Sequence, residues 1–489
     1  MKTGVMKNLK SLLINFSLIF SLLLVACSND NEFKSVIKDQ VQSEFIANST
    51  KISNSAPEDN WWMEFNDPLL NQLVNFGLKN NKNIQIASAD IATSRDLNDI
   101  QVSALLPSVT IYGGRQKFAS PAFGPNGVKY DIYQSGFDAA WELDLLGKNL
   151  DRRRAGKLRF LEEVQIYKAT AISIAGEISR NYIELCSAEK QIANLQEIIA
   201  THNQIISIIN HKEKSGTAAK TDIYNAKINL GEAISQLADL QTIQKVATYK
   251  LAVLIGKTPD QIGKILQDSN SNQIINYQSG IVPVGLKSDI LRRRPDIIAA
   301  EYEIDAAVFD KKAQLKEFFP SFNLTANIGG GANNLGDIFK NGANVKNIQG
   351  FVSIPIFEGG RLIAEYKISK NKAKIAVLNY ENTVLKALEE CESGLVRYIN
   401  SLQSESAADS QFKASASIFK ISQNKKRLGV IPSEDLFVAQ IAMLKMENQL
   451  VIKKQQTLTN LIAFHKAIGG GFEGYEMKFE KDQVLWAKK

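Results

Sequence analysis

The chain repeats itself at a fixed distance of 213 residues, and any fold it adopts must contain the same half twice. Pro107 in Leu106-Pro107-Ser108 returns as Pro320 in Phe319-Pro320-Ser321, and 320 − 107 = 213. Gly147-Lys148 returns as Gly360-Arg361, and 360 − 147 = 213. The glycine that opens Gly216-Thr217-Ala218-Ala219-Lys220-Thr221-Asp222 returns as Gly429 in Gly429-Val430-Ile431-Pro432-Ser433-Glu434-Asp435, and 429 − 216 = 213. A turn-rich stretch starting at Ala119 has its counterpart at Ala332. An offset held through strand, loop, turn and helix break is the mark of tandem duplication.

Each repeat reads the same way. The first spans 61–256 and starts at Trp61-Trp62-Met63-Glu64-Phe65-Asn66-Asp67-Pro68, where Asp-Pro predicts a helix start. Helical spacing runs from Leu69 to about Leu105. A hairpin follows over about 106–145, with turn chemistry at 119–129. Its second strand puts Tyr133, Phe137, Ala139, Trp141, Leu143 and Leu145 on one face and Gln134, Asp138, Glu142 and Asp144 on the other. That alternation fits both a membrane β-strand and a half-buried soluble hairpin. A long helix then runs to about Lys214, with Leu161, Val164, Ala171, Ile174, Ile178, Tyr182 and Leu185 forming a coiled-coil-like seam. Some 60 residues of helix would span roughly 90 Å. Gly216 breaks it, and a return helix runs from Lys220 to about Leu254.

A connector at 257–290 precedes the second repeat, 291–468, and a tail covers 469–489. Leu291-Arg292-Arg293-Arg294-Pro295-Asp296 opens a helix there, and its arginines are expected to pair with nearby carboxylates, not to bind an anion. The second hairpin spans about 319–358 around the loop Ala332–Lys346. Ile348, Val352, Ile354 and Ile356 fall in register with Ser135, Ala139, Trp141 and Leu143. Another long helix follows from about Leu362 to Arg427, then Gly429, then a return helix to about His465. One chain thus supplies four strands, too few to close a membrane barrel. An open sheet in lipid would leave unsatisfied edges, so membrane strands here require an oligomer.

The N-terminus adds an address. Lys2, Lys7 and Lys10 precede a short apolar run, Leu12 to Leu24, and then Leu24-Val25-Ala26-Cys27, which predicts a signal segment over 1–26. Leu-Val-Ala-Cys resembles a bacterial lipobox, with Cys27 acylated, and Ser28 in place of aspartate points to the outer membrane. Residues 27–60 are polar and read as a tether. The net charge of +7 falls to +4 without those three lysines, and no basic stripe suggests nucleic acid. Cys186 and Cys391 are expected to be buried free thiols. The three histidines, His202, His211 and His465, form no metal-ligand spacing. Gly256-Lys257-Thr258 lacks the first glycine and the strand of a phosphate loop. No catalytic motif or cofactor signature is present.

Taken together, Trp61–Leu70, Leu106-Pro107-Ser108, Trp141–Gly147, Leu291–Ile297, Phe319-Pro320-Ser321, Pro355–Arg361 and Ala467–Phe472 resemble a TolC-type outer membrane factor of the lipid-anchored subset. The resemblance covers nearly the whole mature chain in order. It implies an α+β membrane protein: a homotrimer with a 12-stranded outer-membrane β-barrel, four strands from each chain, and a long α-helical coiled-coil barrel in the periplasm. It implies an exit duct without catalysis, working with a periplasmic adaptor (membrane fusion) protein and an inner-membrane RND-type pump. It places Gly216, Thr217, Asp222, Gly429, Ser433 and Asp435 at the periplasmic tip, where the adaptor docks. Asp222 and Asp435 become candidates for the gate. Val438 and Ile431 stand where some relatives carry aspartate and arginine, so Lys425, Lys426 and Arg427 are the alternative source of local salt bridges, or else a solvated charge run. Small-molecule efflux is the leading expectation. The alternatives are a type I protein-secretion duct, a lipid-anchored enzyme and a periplasmic lipid-anchored structural coiled coil.

Overall fold

The computed structural model describes residues 60–120, 128–267, 287–340 and 342–470, with 35, 37, 45–46, 52–53, 55, 274–277, 282–283, 285, 475–480 and 483–488. The expected signal segment and Cys27 lie outside the described residues. In chain order the elements are β1 (Ile52–Ser53), α1 (Pro68–Asn80), α2 (Lys82–Ser103), β2 (Ser108–Ser120), β3 (Val128–Leu143), α3 (Lys148–Lys214), α4 (Lys220–Leu254) and α5 (Pro259–Gln267). Then come β4 (Val282–Pro283), α6 (Pro295–Lys316), β5 (Ser321–Ala332), β6 (Asn344–Ser353), α7 (Arg361–Arg427), α8 (Ser433–Ala467), β7 (Tyr475–Glu480) and β8 (Gln483–Lys488). α3 and α7 are each 67 residues long, and α4 and α8 are each 35. The duplication therefore holds to the residue through the helical hairpins.

Two compact units divide the chain. The first, containing 94–161 and 300–382, holds a four-stranded antiparallel sheet of order β2-β3-β5-β6. β3 and β5, one from each repeat, pair from Leu143↔Phe322 to Tyr133↔Ala332. β2 and β6 are the outer strands, each paired on one side only among the described residues of the chain. Lys148 bridges Glu142 at 2.7 Å and Glu317 at 3.5 Å, and Lys316 reaches the buried Asp151 at 2.5 Å. These pairs fasten the foot of the sheet to the first turns of α3 and the last turn of α6.

The second unit, containing 41–93, 162–299 and 383–489, buries most of the large side chains. Trp61 and Trp62 are sealed in its core, with Trp61 stacked on His465 at 5.4 Å. Asp67 organises the start of α1: one carboxylate oxygen accepts from Leu69 N and Leu70 N at 3.0 and 3.1 Å, and the other accepts from Tyr182 Oη at 2.9 Å. Farther along, Leu195 and Ile198 of α3, Ala233 of α4 and Ile441 and Leu444 of α8 form an apolar cluster that joins the two helical hairpins. Polar pairs climb the α3–α8 seam in steps of seven, as Ser187–Gln455 with Asn194–Asn448 and as Lys190–Glu447 with Glu197–Gln440. Cys186 and Cys391 are buried free thiols, and burial pushes the Cys391 thiol up to about 12.

Five expectations change. The helix over 69–105 is two helices, broken at Asn81, whose side chain accepts from Asn83 N and Ile84 N and donates to Leu254 O. Capping two segment ends with one side chain outweighs continuing one helix. β2 runs on to Ser120 and β5 to Ala332, into stretches rich in small and turn-forming residues, because ladder partners on a neighbouring strand override weak local preference. β6 stops at Ser353, short of Ile354 and Ile356, because Pro355 has no N–H for the ladder. The helix of the arginine run starts at Pro295, after a single turn at Ile290–Arg293. Arg294 is extended there, as a residue before proline must be, and it pairs with Asp296 at 2.6 Å and Glu390 at 2.7 Å. The tether is also not wholly free, since Ile52–Ser53 pairs in parallel with Val282–Pro283.

Hairpin tips and the two faces of the sheet

Each long helix ends on a glycine that only a residue without Cβ holds comfortably. Gly216 has φ +73° and Gly429 φ +74°. Both close the same motif: Thr217 N donates to Lys212 O at 2.8 Å and Gly216 N to Glu213 O at 2.9 Å, while Val430 N donates to Lys425 O at 2.9 Å and Gly429 N to Lys426 O at 3.0 Å. These bonds satisfy the orphan carbonyls of the helix end. A second pair of this kind is Gly256 (φ +70°), at the expected end of the return helix, and Gly469 (φ +72°), again 213 apart. The sequence shows the pair as Ile255-Gly256-Lys257 and Ile468-Gly469-Gly470, and the helix end at Gly256 agrees with the absence of a phosphate loop there.

The two tips differ at the residue after the turn. Asp222 Oδ2 accepts from Ala219 N at 2.9 Å while Asp222 N donates to Ala219 O at 3.0 Å, so this carboxylate closes the N-terminus of α4. At the second tip Pro432 stands where Ala219 does and has no N–H to offer Asp435. Asp435 is exposed on the first turn of α8, and Ser433 is that helix's first residue. Thr217 Oγ1 donates to Lys212 O at 3.1 Å and is otherwise exposed. Lys425 and Arg427 are exposed, and among the described residues neither lies within ion-pair distance of a carboxylate, as expected for a solvated run. At the tips the bridge that does join the hairpins is Lys212 of α3 to Glu434 of α8. Neither residue stood out in the sequence, because a pair 222 residues apart has no local signature.

The sheet has two chemically distinct faces. On one, cross-strand rows read Val109–Ala139–Ala326–Ile348, Ile111–Phe137–Ile328–Lys346, Trp141–Leu324–Gly350 and Leu143–Phe322–Val352. Ile111, Phe137, Ile328, Ile348 and Val352 are exposed there. On the other face the rows read Ser108–Ala140–Thr325–Gln349, Thr110–Asp138–Asn327–Asn347 and Tyr112–Gly136–Gly329–Val345. An apolar face open to its surroundings and a polar opposite face are what a membrane barrel wall presents to lipid and to water. Trp141 Nε1 donates to Leu105 O at 3.0 Å at the foot of the sheet, a fitting place for an interfacial aromatic. No described helix is long and apolar enough to cross a membrane. Helices α4 and α7 also carry exposed apolar residues at coiled-coil spacing: Val246, Tyr249 and Val253 on one, Ile368, Ile375, Leu378 and Leu385 on the other.

A family model described as "Outer membrane efflux protein" matches the chain twice, over residues 73–257 and 286–470, and these spans are themselves 213 apart. A probable efflux pump outer membrane protein of Pseudomonas putida, TtgC, is 27% identical over 434 residues, 88% of each chain. An antibiotic efflux pump outer membrane protein from the same species, ArpC, matches to the same extent. Among solved structures, the CmeC outer membrane channel of Campylobacter jejuni is 25% identical with a TM-score of 0.79, covering 86% of this chain and 90% of that one. The MtrE channel of Neisseria gonorrhoeae shares the fold at 23% identity and a TM-score of 0.77, covering 88% and 96%.

Proposed function

The chain belongs to the outer membrane efflux protein family, and from that premise we propose that it is the exit duct of a tripartite efflux system. In this reading it carries small molecules delivered by an inner-membrane RND-type pump and a periplasmic adaptor across the outer membrane. The observation that carries the proposal is the sheet: four strands, one apolar face, one polar face, and two outer strands with a free edge. Such a sheet is stable in lipid only when its edges are paired, and three copies give the 12 strands of a closed wall. The exposed seams on α4 and α7 support the same oligomer. Relatives named for toluene and antibiotic efflux suggest apolar and amphiphilic cargo.

The tips at Gly216 and Gly429, with Thr217, Asp222, Ser433 and Asp435, are the proposed adaptor-docking surface. Asp435 and the Lys212–Glu434 bridge are the proposed gate elements, with Asp222 mainly a helix cap. Cys27 is the proposed acylation site. Ser35 Oγ donates to Glu381 Oε1 at 2.9 Å, and 381 − 361 = 20 residues separate Glu381 from the sheet end of α7, about 30 Å of helix. Cys27 precedes Ser35 by eight residues of chain.

The test is extraction and reconstitution. A heat-modifiable trimer from the outer membrane that conducts ions in planar bilayers is expected. A monomer in the soluble periplasmic fraction would instead favour the structural coiled coil. Glu434→Gln is expected to raise conductance if the bridge holds the tips together, and unchanged recordings would remove it from the gate.

A further inference from the structure

We propose that the polar wall of the barrel carries a transit site for bulky organic cations, formed by the ring of Tyr112 and the carboxylate of Asp138. The inference rests on the duct reading, which makes this face the lumen.

Its geometry begins with two glycines. Gly136 and Gly329 stand opposite each other on β3 and β5, packed so closely that a Cβ on Gly136 would lie 2.7 Å from Gly329 Cα and 2.6 Å from Ile328 O. Tyr112 on β2 is the cross-strand neighbour of Gly136. Its hydroxyl nevertheless reaches β5, where Asn327 Nδ2 donates to it at 2.8 Å. The side chain must therefore cross β3 at Gly136, over the space a Cβ would occupy, whose nearest side-chain atom is Tyr112 Oη at 3.0 Å. The ring therefore lies over β3 on the polar side of the sheet.

The same Asn327 Nδ2 donates to Asp138 Oδ1 at 2.6 Å. One amide thus fixes both the aromatic ring and the carboxylate, in adjacent rows about 7 Å apart along the strand. Asp138 is exposed on this face, and no lysine or arginine stands in its row or in the neighbouring rows of the same face; Lys346, one residue along, belongs to the opposite face. The nearest acidic neighbour on the polar face, Glu142, is held by Lys148. An uncompensated carboxylate beside an anchored aromatic face suits a ligand that is both cationic and apolar, attracted by the ring quadrupole and the negative charge together. In a threefold barrel there would be three such sites. Weak binding is what transit requires, since cargo must leave as readily as it enters.

The experiment compares two ions of the same shape and opposite charge, tetraphenylphosphonium and tetraphenylborate, as blockers of the reconstituted trimer in planar bilayers, added from the barrel side. Wild type is expected to be blocked by the cation at lower concentration than by the anion. Tyr112→Leu and Asp138→Asn should each weaken block by the cation about 2- to 5-fold and leave block by the anion unchanged. Asp138→Asn keeps an acceptor for Asn327, so it separates charge from wall structure, and heat-modifiable migration verifies the trimer in both variants. Equal block of wild type and both variants by the cation would overturn the proposal while leaving the duct intact. A wild-type protein that conducts no ions would overturn the duct reading first.

Discussion

Asp67 accepts three hydrogen bonds while 1% exposed, two from the opening turn of α1 and one from Tyr182 on α3. Removing it loses a helix cap worth about 1 kcal/mol and takes the carboxylate acceptor from the buried Tyr182 hydroxyl, at about 1–3 kcal/mol. Asp67→Ala should therefore lower stability by about 2–4 kcal/mol, read from denaturant midpoints of the detergent-solubilised protein, whereas Asp67→Asn should retain most of the cap. His465 makes a second residue-scale case. It is fully buried against Trp61, with Glu64 Oε2 3.9 Å from Nε2, and burial lowers it from 6.5 to about 4. A depressed value means that the folded protein favours neutral imidazole. Its contribution is complete above pH 6.5, declines as the pH falls toward 4, and amounts to no more than about 3 kcal/mol. Compared with wild type, His465→Leu should lose stability less steeply between pH 6.5 and 4. Parallel curves for the two proteins would show that His465 does not titrate in that window. Asp67 was legible in the sequence because Asp-Pro before an apolar run is a local start signal. His465 was not, because nothing local says that Trp61, 404 residues earlier, will stack on it.

At the scale of elements, the duplication predicted α3, α4, α7 and α8 almost to the residue, because long helices depend on local periodicity and their glycine stops are local too. Two of the misplaced boundaries are set by distant partners, Asn81 capping the end of α4 and β5 extended by β3, whereas the end of β6 and the start of α6 follow the local prolines Pro355 and Pro295. The tip turns test the local account. Nothing lies within 4 Å of where a Cβ would sit on Gly216 or Gly429, so a substitution there is opposed by backbone conformation alone. A left-handed non-glycine residue costs about 1–2 kcal/mol, more for a β-branched side chain. Gly216→Val or Gly429→Val should thus abolish export in an efflux assay while leaving trimer and barrel intact. Normal export by both variants would show that the turns tolerate repacking. Within the tips, Asp222→Ala should loosen the first turn of α4, visible as faster amide exchange there, whereas Asp435→Ala should leave the start of α8 unchanged, because Pro432 offers no N–H to cap.

For the whole molecule the decisive quantity is the pairing of its two free edges. Among the described residues of one chain β2 pairs only with β3, and β6 only with β5, so a closed wall requires β6 of one copy to meet β2 of the next. The strands alternate in direction across the sheet, so the order β2-β3-β5-β6 makes that junction antiparallel, in keeping with every other pair in the wall. Asn347 on β6 and Ser108, Thr110 and Gly114 on β2 all occupy the polar face, so cysteines there would meet inside the lumen, away from lipid. Barrel closure staggers the register, and the partner of Asn347 is therefore one of a short series, not a single residue fixed by the rows of one chain. In a background with Cys186 and Cys391 replaced, Asn347→Cys combined in turn with Ser108→Cys, Thr110→Cys and Gly114→Cys should give one combination that oxidises to covalent dimers and trimers on non-reducing gels. The single variants should not, because threefold symmetry brings each edge only to the opposite edge of a neighbour. Cysteine pairs form only when their Cα atoms come within about 7 Å, so a positive combination also fixes the stagger of the wall. If no combination cross-links in outer-membrane preparations, the edges are closed by something other than a second copy, and the three-chain barrel must be abandoned.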